Sequence, residues 1–491
     1  MTKIERRPFI LGAVMLGMFL SAIEATIVAT AMPSIVADLG DFSLFSWVFS
    51  SYLLTSSATV LLFGKLADIY GRRPIYIFGI TIFLLGSTLA GFSTTMMMLI
   101  IARFIQGIGA GALMPIAMTI VGDIYTKEER AKIQGYLSSV WGISAIIGPL
   151  IGAFFVDFLN WRYVFWMNIP LGILSMIGII LFLKESMRRT KESIDYFGAF
   201  FLISGTSLLM VLFVETGDSI KLWSPIFFLI ALLTILLLLA FIRHERRIQT
   251  PIMPHDIWSI KMIRLPNIVT LLTGMIMISV SSYLPMFVQV IMGESALIAG
   301  FSLTAMSIGW PLASTIAGRI LLKIGFRLTS LIGGCFLIVG TFLFILLPVI
   351  QHVVWAGFAS FFVGVGMGMT STSFIVAIQT TVPWEIRGIA TASNTFMRSF
   401  GSAIGVALLS GMLNSTIYRY IERAQLTDSI SLNTVDRLLE GENLATLSTY
   451  ARDTLYSGLL SGLQLVYISI GVIALCSFYF IFRLPKYESD L

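Results

Sequence analysis

Runs of about twenty apolar residues recur along the whole chain, and this feature limits its fold more than any other. A run of this length carries an α-helix across about 30 Å of hydrocarbon, whereas a membrane barrel needs alternating segments of about ten residues. Only 12% of the 491 residues are charged, about half the usual share in soluble proteins. The sequence therefore predicts an all-α integral membrane protein. Fourteen spans are predicted near residues 9–32, 44–64, 75–93, 97–121, 134–156, 163–183, 197–215, 224–242, 266–291, 298–322, 329–348, 353–376, 390–414 and 462–482.

Lysine and arginine are distributed unevenly over the loops that join these spans. If the N-terminus is cytoplasmic, most of the 32 basic residues fall in the two tails and in the loops on the same side. Cytoplasmic loops of membrane proteins carry such an excess. We therefore expect a multi-pass protein of the cell (inner or plasma) membrane with both termini in the cytoplasm. The net charge of +6 then reflects topology, and no nucleic acid partner is expected.

Small and basic residues recur at one nearly constant offset between the two ends of the chain. Gly64, Gly71, Arg73, Gly135, Gly148 and Gly152 recur as Gly318, Gly325, Arg327, Gly388, Gly401 and Gly405. The offset spans eight helices, so the sequence predicts two related six-helix bundles, as in transporters built from parallel repeats. The N-terminal bundle covers residues 1–190 and the C-terminal bundle covers 263–491. Two inserted helices, 7 and 8, with flanking cytoplasmic linkers cover 191–262.

One long extracellular loop is predicted at residues 414–462. Apolar residues at helical spacing within 435–439 and 444–460 predict short surface helices there. Two interpretations of this loop stay open, namely a lid over the outer mouth and a spacer.

The connector between the second and third spans has an ordered set of small and charged residues. It reads GKLADIYGRR at residues 64–73. Glycine permits a tight backbone at a helix end, and an aspartate there can cap the N-terminus of a neighbouring helix. The order Gly64, Asp68, Gly71, Arg72, Arg73 resembles the signature loop of the major facilitator superfamily, and a weaker copy lies at 318–327. The resemblance implies a conformational latch at this loop.

One acid and one arginine lie deep inside apolar spans. Glu24 is in the first span, and Arg103 is in the fourth, where LIIARFIQGIGAG at 99–111 resembles the fourth-helix motif of the same superfamily. Ionisable residues at such depths are costly and mark functional sites. At 1.5 Å per residue, Arg103 lies about 9 Å and Glu24 about 12 Å from the same end of their helices. We therefore expect an ion pair, with snorkelling of Arg103 to the interface as the alternative.

Two further stretches resemble particular families within this superfamily. Residues 148–152, GPLIG, resemble the motif of exporters in this superfamily, although Ala153 replaces the second glycine of the usual pair. The aromatic stretch from Trp161 through Asn168 to Pro170 resembles that of the fourteen-helix drug:proton antiporter family. The first span resembles that family too, with Glu24 where aspartate is usual.

By this resemblance the chain is a proton-coupled multidrug efflux transporter that exports lipophilic, often cationic compounds by alternating access and confers antibiotic resistance. Glu24 and Arg103 are then the proton-coupling pair. The latch and gating residues implied are Gly64, Asp68, Gly71, Arg72, Arg73, Gly148, Pro149 and Gly152. Small lipophilic or cationic substrates, protons and membrane lipid are the expected partners of a monomer. The alternatives are an exporter of an endogenous lipid or fatty acid and a non-transporting membrane binder.

Neither cofactor nor enzyme chemistry is expected. The sequence has no phosphate-binding GxxxxGK[ST] loop, so the proton gradient is the expected driving force. The two cysteines lie in separate spans, and the three histidines are assigned to loops, so no metal site is predicted. Aromatic, amide and basic residues within spans are the candidates for a substrate cavity: Tyr52, Trp141, Tyr283, Gln289, Trp310, Gln379, Asn394 and Arg398.

Overall fold

The computed structural model describes residues 6–40, 44–185, 195–215, 224–248, 255–294, 296–424 and 449–486. In these ranges all regular secondary structure is helical, which pairs backbone N–H and C=O groups within each segment, as hydrocarbon requires. The first helices are α1 (Arg7–Leu39), α2 (Phe45–Tyr70), α3 (Arg72–Gly91), α4 (Met96–Ile124), α5 (Lys127–Phe158), α6 (Tyr163–Trp166) and α7 (Asn168–Phe182). The others are α8 (Tyr196–Glu215), α9 (Pro225–Glu245), α10 (His255–Ser259), α11 (Lys261–Met286), α12 (Ala296–Ile350), α13 (Val353–Thr381), α14 (Arg387–Arg423) and α15 (Thr449–Phe482). A π-helical turn (Phe287–Ile291) extends α11, and a 3-10 turn (Trp384–Ile386) precedes α14.

Eleven helices of the described residues are long and apolar enough to cross a membrane, so the prediction of a multi-pass helical protein is confirmed. Helix α12 has 55 residues, about 80 Å at the usual rise, which is too long for one crossing. It is broken at Gly325, where φ is +80°. Gly71, its predicted repeat partner, has φ +95° between α2 and α3. Glycine adopts this backbone region readily, so the two positions make the same turn.

The outer loop predicted at 414–462 is bounded differently in the structure. Helix α14 continues to Arg423 and α15 begins at Thr449. The prediction of a separate surface helix at 444–460 is wrong, because the residues from Thr449 onward are the first turns of α15. Leu455 and Leu459 bury this extension in the same core as the span itself. Residues 435–439 lie outside the described residues.

The buried apolar side chains form two large cores, one from each end of the chain. Helices α1–α5 and α7 contribute to one core, and α11–α15 contribute to the other; we call these groups of helices the N-terminal half and the C-terminal half. The inserted helices contact both halves. Leu202 of α8 and Phe241 of α9 share a smaller core with Leu61 of α2 and Ile389 of α14. The inserted pair therefore lies along a junction between the halves.

The main contacts between the halves are made by two helix pairs toward one end of the molecule, where α2 packs on α14 and α5 packs on the first part of α12. A Cβ atom added at Gly64 would collide with the Ala392 side chain, and one added at Gly318 would collide with the Ala131 carbonyl oxygen. Since Gly64 and Gly318 are repeat partners, the two helix pairs are related by the repeat. We call this end, which carries the α2–α3 turn at Gly71, the turn face.

Polar contacts close the same end. Ser138 Oγ of α5 and Ser314 Oγ of α12 are 2.9 Å apart, and Gln379 Nε2 of α13 donates to Met118 O of α4 at 3.0 Å. Among the described residues, the hydrogen bonds between the halves lie at this level or nearer the turn face. The structure is therefore closed at the turn face.

Candidate functional site

A buried charge network joins four helices of the N-terminal half. Arg103 of α4 forms an ion pair with Glu24 of α1, and their side chains are 1% and 0% exposed. Arg103 Nη1 also donates to Gln106 Oε1 at 2.8 Å. Removing one partner of such a pair leaves an uncompensated buried charge, which costs about 3–5 kcal/mol. The structure therefore has the ion pair expected from the helical depths, and Arg103 does not snorkel.

Glu24 has a second partner that the sequence did not predict. Asn168 Nδ2 of α7 donates to Glu24 Oε2 at 2.9 Å and to Ser87 Oγ of α3 at 2.9 Å. Gln106 Nε2 also donates to Ser87 Oγ, at 3.3 Å. All four side chains are fully buried. The signal was the amide two residues before Pro170, in the aromatic stretch that resembles the antiporter family.

Aromatic and backbone groups enclose the guanidinium. The Arg103 Cζ atom is 4.3 Å from the centroid of the Tyr52 ring, a cation–π contact. Arg103 Nε donates to Val48 O at 3.1 Å. Tyr52, a cavity candidate, is thus buried beneath the ion pair, with its hydroxyl 3.4 Å from Ser21 Oγ.

Two glycines of the exporter-like motif hold α5 against the turn of α1 that follows Glu24. A Cβ at Gly148 would overlap the Thr26 hydroxyl, and one at Gly152 would lie 3.1 Å from the Ile27 carbonyl oxygen. The Thr26 hydroxyl donates to the Ser144 carbonyl at 3.2 Å. Small residues permit such close approach between membrane helices. Helix α5 is continuous through this motif, and the side chain of Pro149 lies outside the described residues.

We expect Gly148→Ala to lower the free energy of unfolding by about 1–3 kcal/mol, because the added methyl group must separate α5 from α1. Thermal melting of the detergent-purified protein measures this loss. Gly357→Ala is the matched control, since nothing lies within 4 Å of a Cβ there. Equal melting shifts for the two variants would contradict the close packing.

The N-terminus of α14 is capped by a carboxylate of the opposite half. Asp68 Oδ1 accepts a hydrogen bond from Gly388 N at 2.9 Å, and its Oδ2 accepts one from Ile389 N at 2.8 Å. A carboxylate there satisfies free N–H groups and opposes the positive end of the helix dipole. The expectation that Asp68 caps a neighbouring helix is confirmed, and that helix is α14.

Arg72 connects this cap to other charges at the turn face. Its Nη2 lies 2.7 Å from Asp68 Oδ1 and donates to Trp384 O at 2.8 Å. Its Nε lies 3.0 Å from Asp123 Oδ2, and Asp123 Oδ1 accepts from Arg387 Nη1 at 2.6 Å. We call these five residues the latch. Two acids and two arginines balance in charge, and they join α2, α3 and α4 to the start of α14.

Arg73 does not reach the opposite half. The backbone N–H groups of Arg72 and Arg73 donate to the Glu185 carboxylate at 2.9 and 3.0 Å, so Glu185 caps α3. The Arg73 side chain donates to Ile180 O at 2.9 Å. Arg73 therefore stabilises the N-terminal half and is not part of the latch.

Three of the remaining cavity candidates are occupied by contacts within the protein. Gln379 is buried and bonded to Met118 O, as described above. Asn394 Nδ2 donates to Asn267 Oδ1 and Thr270 Oγ1 at 3.0 and 2.9 Å, which links α14 to α11. Tyr283 is buried in the core of the C-terminal half.

The other candidates keep exposed surface. Trp141 is 47% exposed, and Gln289 is exposed in the π-helical turn. The Arg398 Cζ atom lies 5.3 Å from the centroid of the Trp310 ring, and both residues are partly exposed. These last two candidates are therefore brought together.

One histidine is placed differently from the sequence assignment. His244 lies in the last turn of α9, and its Nε2 is 2.8 Å from Asp195 Oδ1 at the start of α8. The assignment of His244 to a loop is therefore wrong. The acid is 49 positions away in sequence and meets the histidine only because α8 and α9 pack as a pair.

At the end of the molecule opposite the turn face, Asp38 joins α1 to the aromatic stretch. Asp38 Oδ2 accepts hydrogen bonds from Trp161 Nε1 at 2.9 Å and from Arg162 Nη1 at 2.8 Å. The hydrogen bond from Trp161 has the larger effect and that from Arg162 the smaller one. Both favour the carboxylate and so hold the pKa of Asp38 below its ordinary value.

The fold and the buried charges define a multi-pass helical membrane protein whose two halves close at one face. The sequence profile described as "Major Facilitator Superfamily" matches residues 14–406. The chain belongs to this superfamily, as the motifs in its sequence predicted.

Similar proteins include several bacterial and fungal transporters. Multidrug resistance protein 3 of Bacillus subtilis (strain 168) is 37% identical over 411 residues, which are 84% of this chain and 80% of that protein. Multidrug transporter protein MdtP of the same organism is 35% identical over 84% of this chain and 76% of its own length. Efflux pump FUS6 of Gibberella fujikuroi is 31% identical over 82% of this chain and 75% of its own length.

Solved structures share the fold. The proton:xylose symporter XylE aligns with a TM-score of 0.67 at 13% identity and covers 99% of this chain and 98% of its own. The human transporter MFSD10 aligns with a TM-score of 0.63 at 14% identity, over 96% of this chain and 99% of its own.

Proposed function

We propose that this protein is a proton-coupled multidrug efflux transporter that exchanges protons for lipophilic, often cationic compounds by alternating access. The observation that carries this proposal is the fully buried carboxylate of Glu24, held by Arg103 and Asn168 inside the N-terminal half. The Glu24 carboxylate is the group in this network that can gain and lose a proton, because the arginine stays protonated and the amides do not titrate. The names of the related multidrug transporters and efflux pumps support the same function.

Coupling follows from the electrostatics of the pair. When Glu24 is ionised, it neutralises Arg103 and ties α1 to α4. When Glu24 is protonated, Arg103 keeps its charge without a counterion, and the balance between the two helices changes. A ligand can shift a conformational equilibrium only by binding the two states unequally. The proton is such a ligand, because only the ionised state has the full attraction to Arg103.

The topology we propose has fourteen membrane crossings. Helix α12 supplies two of them because Gly325 divides it, and α8 and α14 are added to the other apolar helices. Two bundles with an inserted pair result, as the sequence repeat predicts. The basic loops favour a cytoplasmic position for the turn face and both termini. A transporter of this kind needs no cofactor and catalyses no covalent reaction.

Proton release from vesicles tests the function. We expect ethidium, added outside proteoliposomes with an acidic lumen, to enter and to raise the luminal pH reported by a trapped dye. The membrane potential is clamped with potassium and valinomycin, and protein-free liposomes give the background. Ethidium uptake without a pH change would contradict proton coupling. Movement of a fluorescent phospholipid with no movement of any drug would favour the lipid-exporter alternative.

A further inference from the structure

Arg398 of α14 has no carboxylate partner among the described residues. Its Nη2 lies 3.4 Å from Ser371 Oγ of α13, and its Cζ lies over the Trp310 ring of α12. By contrast, Arg72 and Arg103 are each paired with an acid. A cation at membrane depth without a counterion is costly, and such groups mark substrate or ion pathways.

The side of α14 that carries Arg398 packs toward α13, beside the junction between the halves. Arg398 and Thr391 are seven residues apart, which places them on one face of the helix. The Thr391 hydroxyl accepts a hydrogen bond from Gln379 at 3.4 Å, and Gln379 also donates to Met118 O of α4. Arg398 therefore lies along the same junction, about 10 Å farther from the turn face at the usual helical rise.

Trp310 of α12 lies at about the same distance from the turn face as Arg398. It precedes Ser314 by four residues and shares its helix face, and Ser314 bonds Ser138 of α5 across the two halves. On α5, the exposed Trp141 lies one turn beyond Ser138 in the same direction. Trp310 and Arg398 thus lie farther from the turn face than the hydrogen bonds between the halves, and both keep exposed surface.

We propose that Arg398, Trp310 and Ser371, which meet between α14, α12 and α13 and keep exposed surface, form a subsite for the carboxylate of a lipophilic organic acid. The guanidinium offers a planar pair of donors that matches a carboxylate, and the serine hydroxyl is a further donor. The indole ring offers a flat apolar surface beside the charge. The proposal rests on the proposed function and extends its substrates from cationic compounds to carboxylates.

Three pyrene probes that differ in charge test the subsite in the detergent-purified full chain. They are pyrenebutanoate, its methyl ester and pyrenebutylamine, and fluorescence anisotropy measures their affinities. We expect Arg398→Gln to lower the affinity for pyrenebutanoate by about tenfold or more, the usual effect of losing a charge-assisted hydrogen-bonded pair. The ester and the amine should bind Arg398→Gln as they bind the unchanged protein, which also shows that the variant is folded.

Two further variants sharpen the test. Arg398→Lys keeps the charge and loses the planar fork, so its affinity for the anion should fall between those of the unchanged protein and Arg398→Gln. Arg319→Gln is the matched control, since Arg319 is exposed on α12, and it should bind all three probes normally. Competition with dodecanoate distinguishes the source of the carboxylate: displacement identifies fatty acids, and no displacement identifies aromatic acids.

Other outcomes would overturn the subsite. These are no binding of pyrenebutanoate by the unchanged protein, an equal effect of Arg398→Gln on all three probes, or no effect on the anion. Binding is measured without a proton gradient, so the two proposals fail separately. Anion binding that depends on Arg398, together with pyrenebutylamine transport without proton release, would refute only the proposed function. If pyrenebutylamine transport released protons but Arg398→Gln left pyrenebutanoate binding unchanged, only the subsite would be refuted.

Discussion

Glu24→Gln should abolish substrate-dependent proton release from proteoliposomes, with a loss of about 100-fold or more, as expected when a proton-transferring side chain is removed. Glutamine keeps the size of the side chain and an oxygen that can accept the hydrogen bond from Asn168, but it cannot exchange a proton. The measurement is the luminal pH signal after addition of ethidium, compared with ethidium binding in detergent. Binding should remain measurable, because Glu24 is fully buried and α1 keeps its contacts with α5.

Controls separate lost coupling from lost folding. Glu24→Gln leaves the Arg103 charge without its partner, so the variant should melt at a lower temperature. The double variant Glu24→Gln with Arg103→Gln removes both charges and should recover part of this stability without recovering proton release. Glu24→Asp keeps a titratable group and should keep some coupling. Proton release by Glu24→Gln at the rate of the unchanged protein would eliminate Glu24 as the carrier.

Asp68→Asn should open the turn face. The variant loses the charge of the cap on α14 and the ion pair with Arg72, a loss of about 2 kcal/mol or more. A change of this size shifts the ratio of closed to open molecules by roughly 30-fold. Spin labels at positions 70 and 385, both exposed beside the latch, report the change as a longer distance population. Cys335 and Cys476 are free and exposed, so serine must replace them before labelling.

Arg73→Gln is the matched control for this measurement. It removes a neighbouring charge, but the Arg73 side chain bonds only within the N-terminal half in the contacts described. Its distance distribution should therefore equal that of the unchanged protein. If Asp68→Asn left the distribution unchanged as well, the latch would not determine whether the turn face is open.

The sequence was sufficient for those features that depend on local patterns. Apolar runs placed the helices because burial in hydrocarbon requires them. The repeat predicted the turn at Gly325, where a positive φ requires glycine. The depth of Glu24 and Arg103 could be estimated because the rise of a helix is constant. Capping by Asp68 was predicted, but not which helix it caps.

Features that depend on contacts between distant segments could not be predicted. Asn168 is 144 positions from Glu24, and the motif that contains it does not show which residue its amide contacts. Asp123 and Arg387 were not singled out from the sequence, because each has its role only when α4 meets the start of α14. The helical start of α15 was missed for a related reason: a surface helix and the extension of a span have the same periodicity, and only packing distinguishes them.

The cap on α14 makes the two junctions between the halves unequal. Helix α5 carries its own cap, since Thr126 and Glu129 satisfy its first turn, and its contact with α12 is made by small residues. At the repeat positions of Asp68 and Arg72, the chain has Leu322 and Phe326. Separation of α2 from α14 exposes N–H groups of the α14 N-terminus, whereas movement of α5 along α12 breaks the Ser138–Ser314 contact but leaves the cap of α5 in place. The expected motion is therefore a rotation about the α5–α12 contact, with water entering first beside the exposed end of α14.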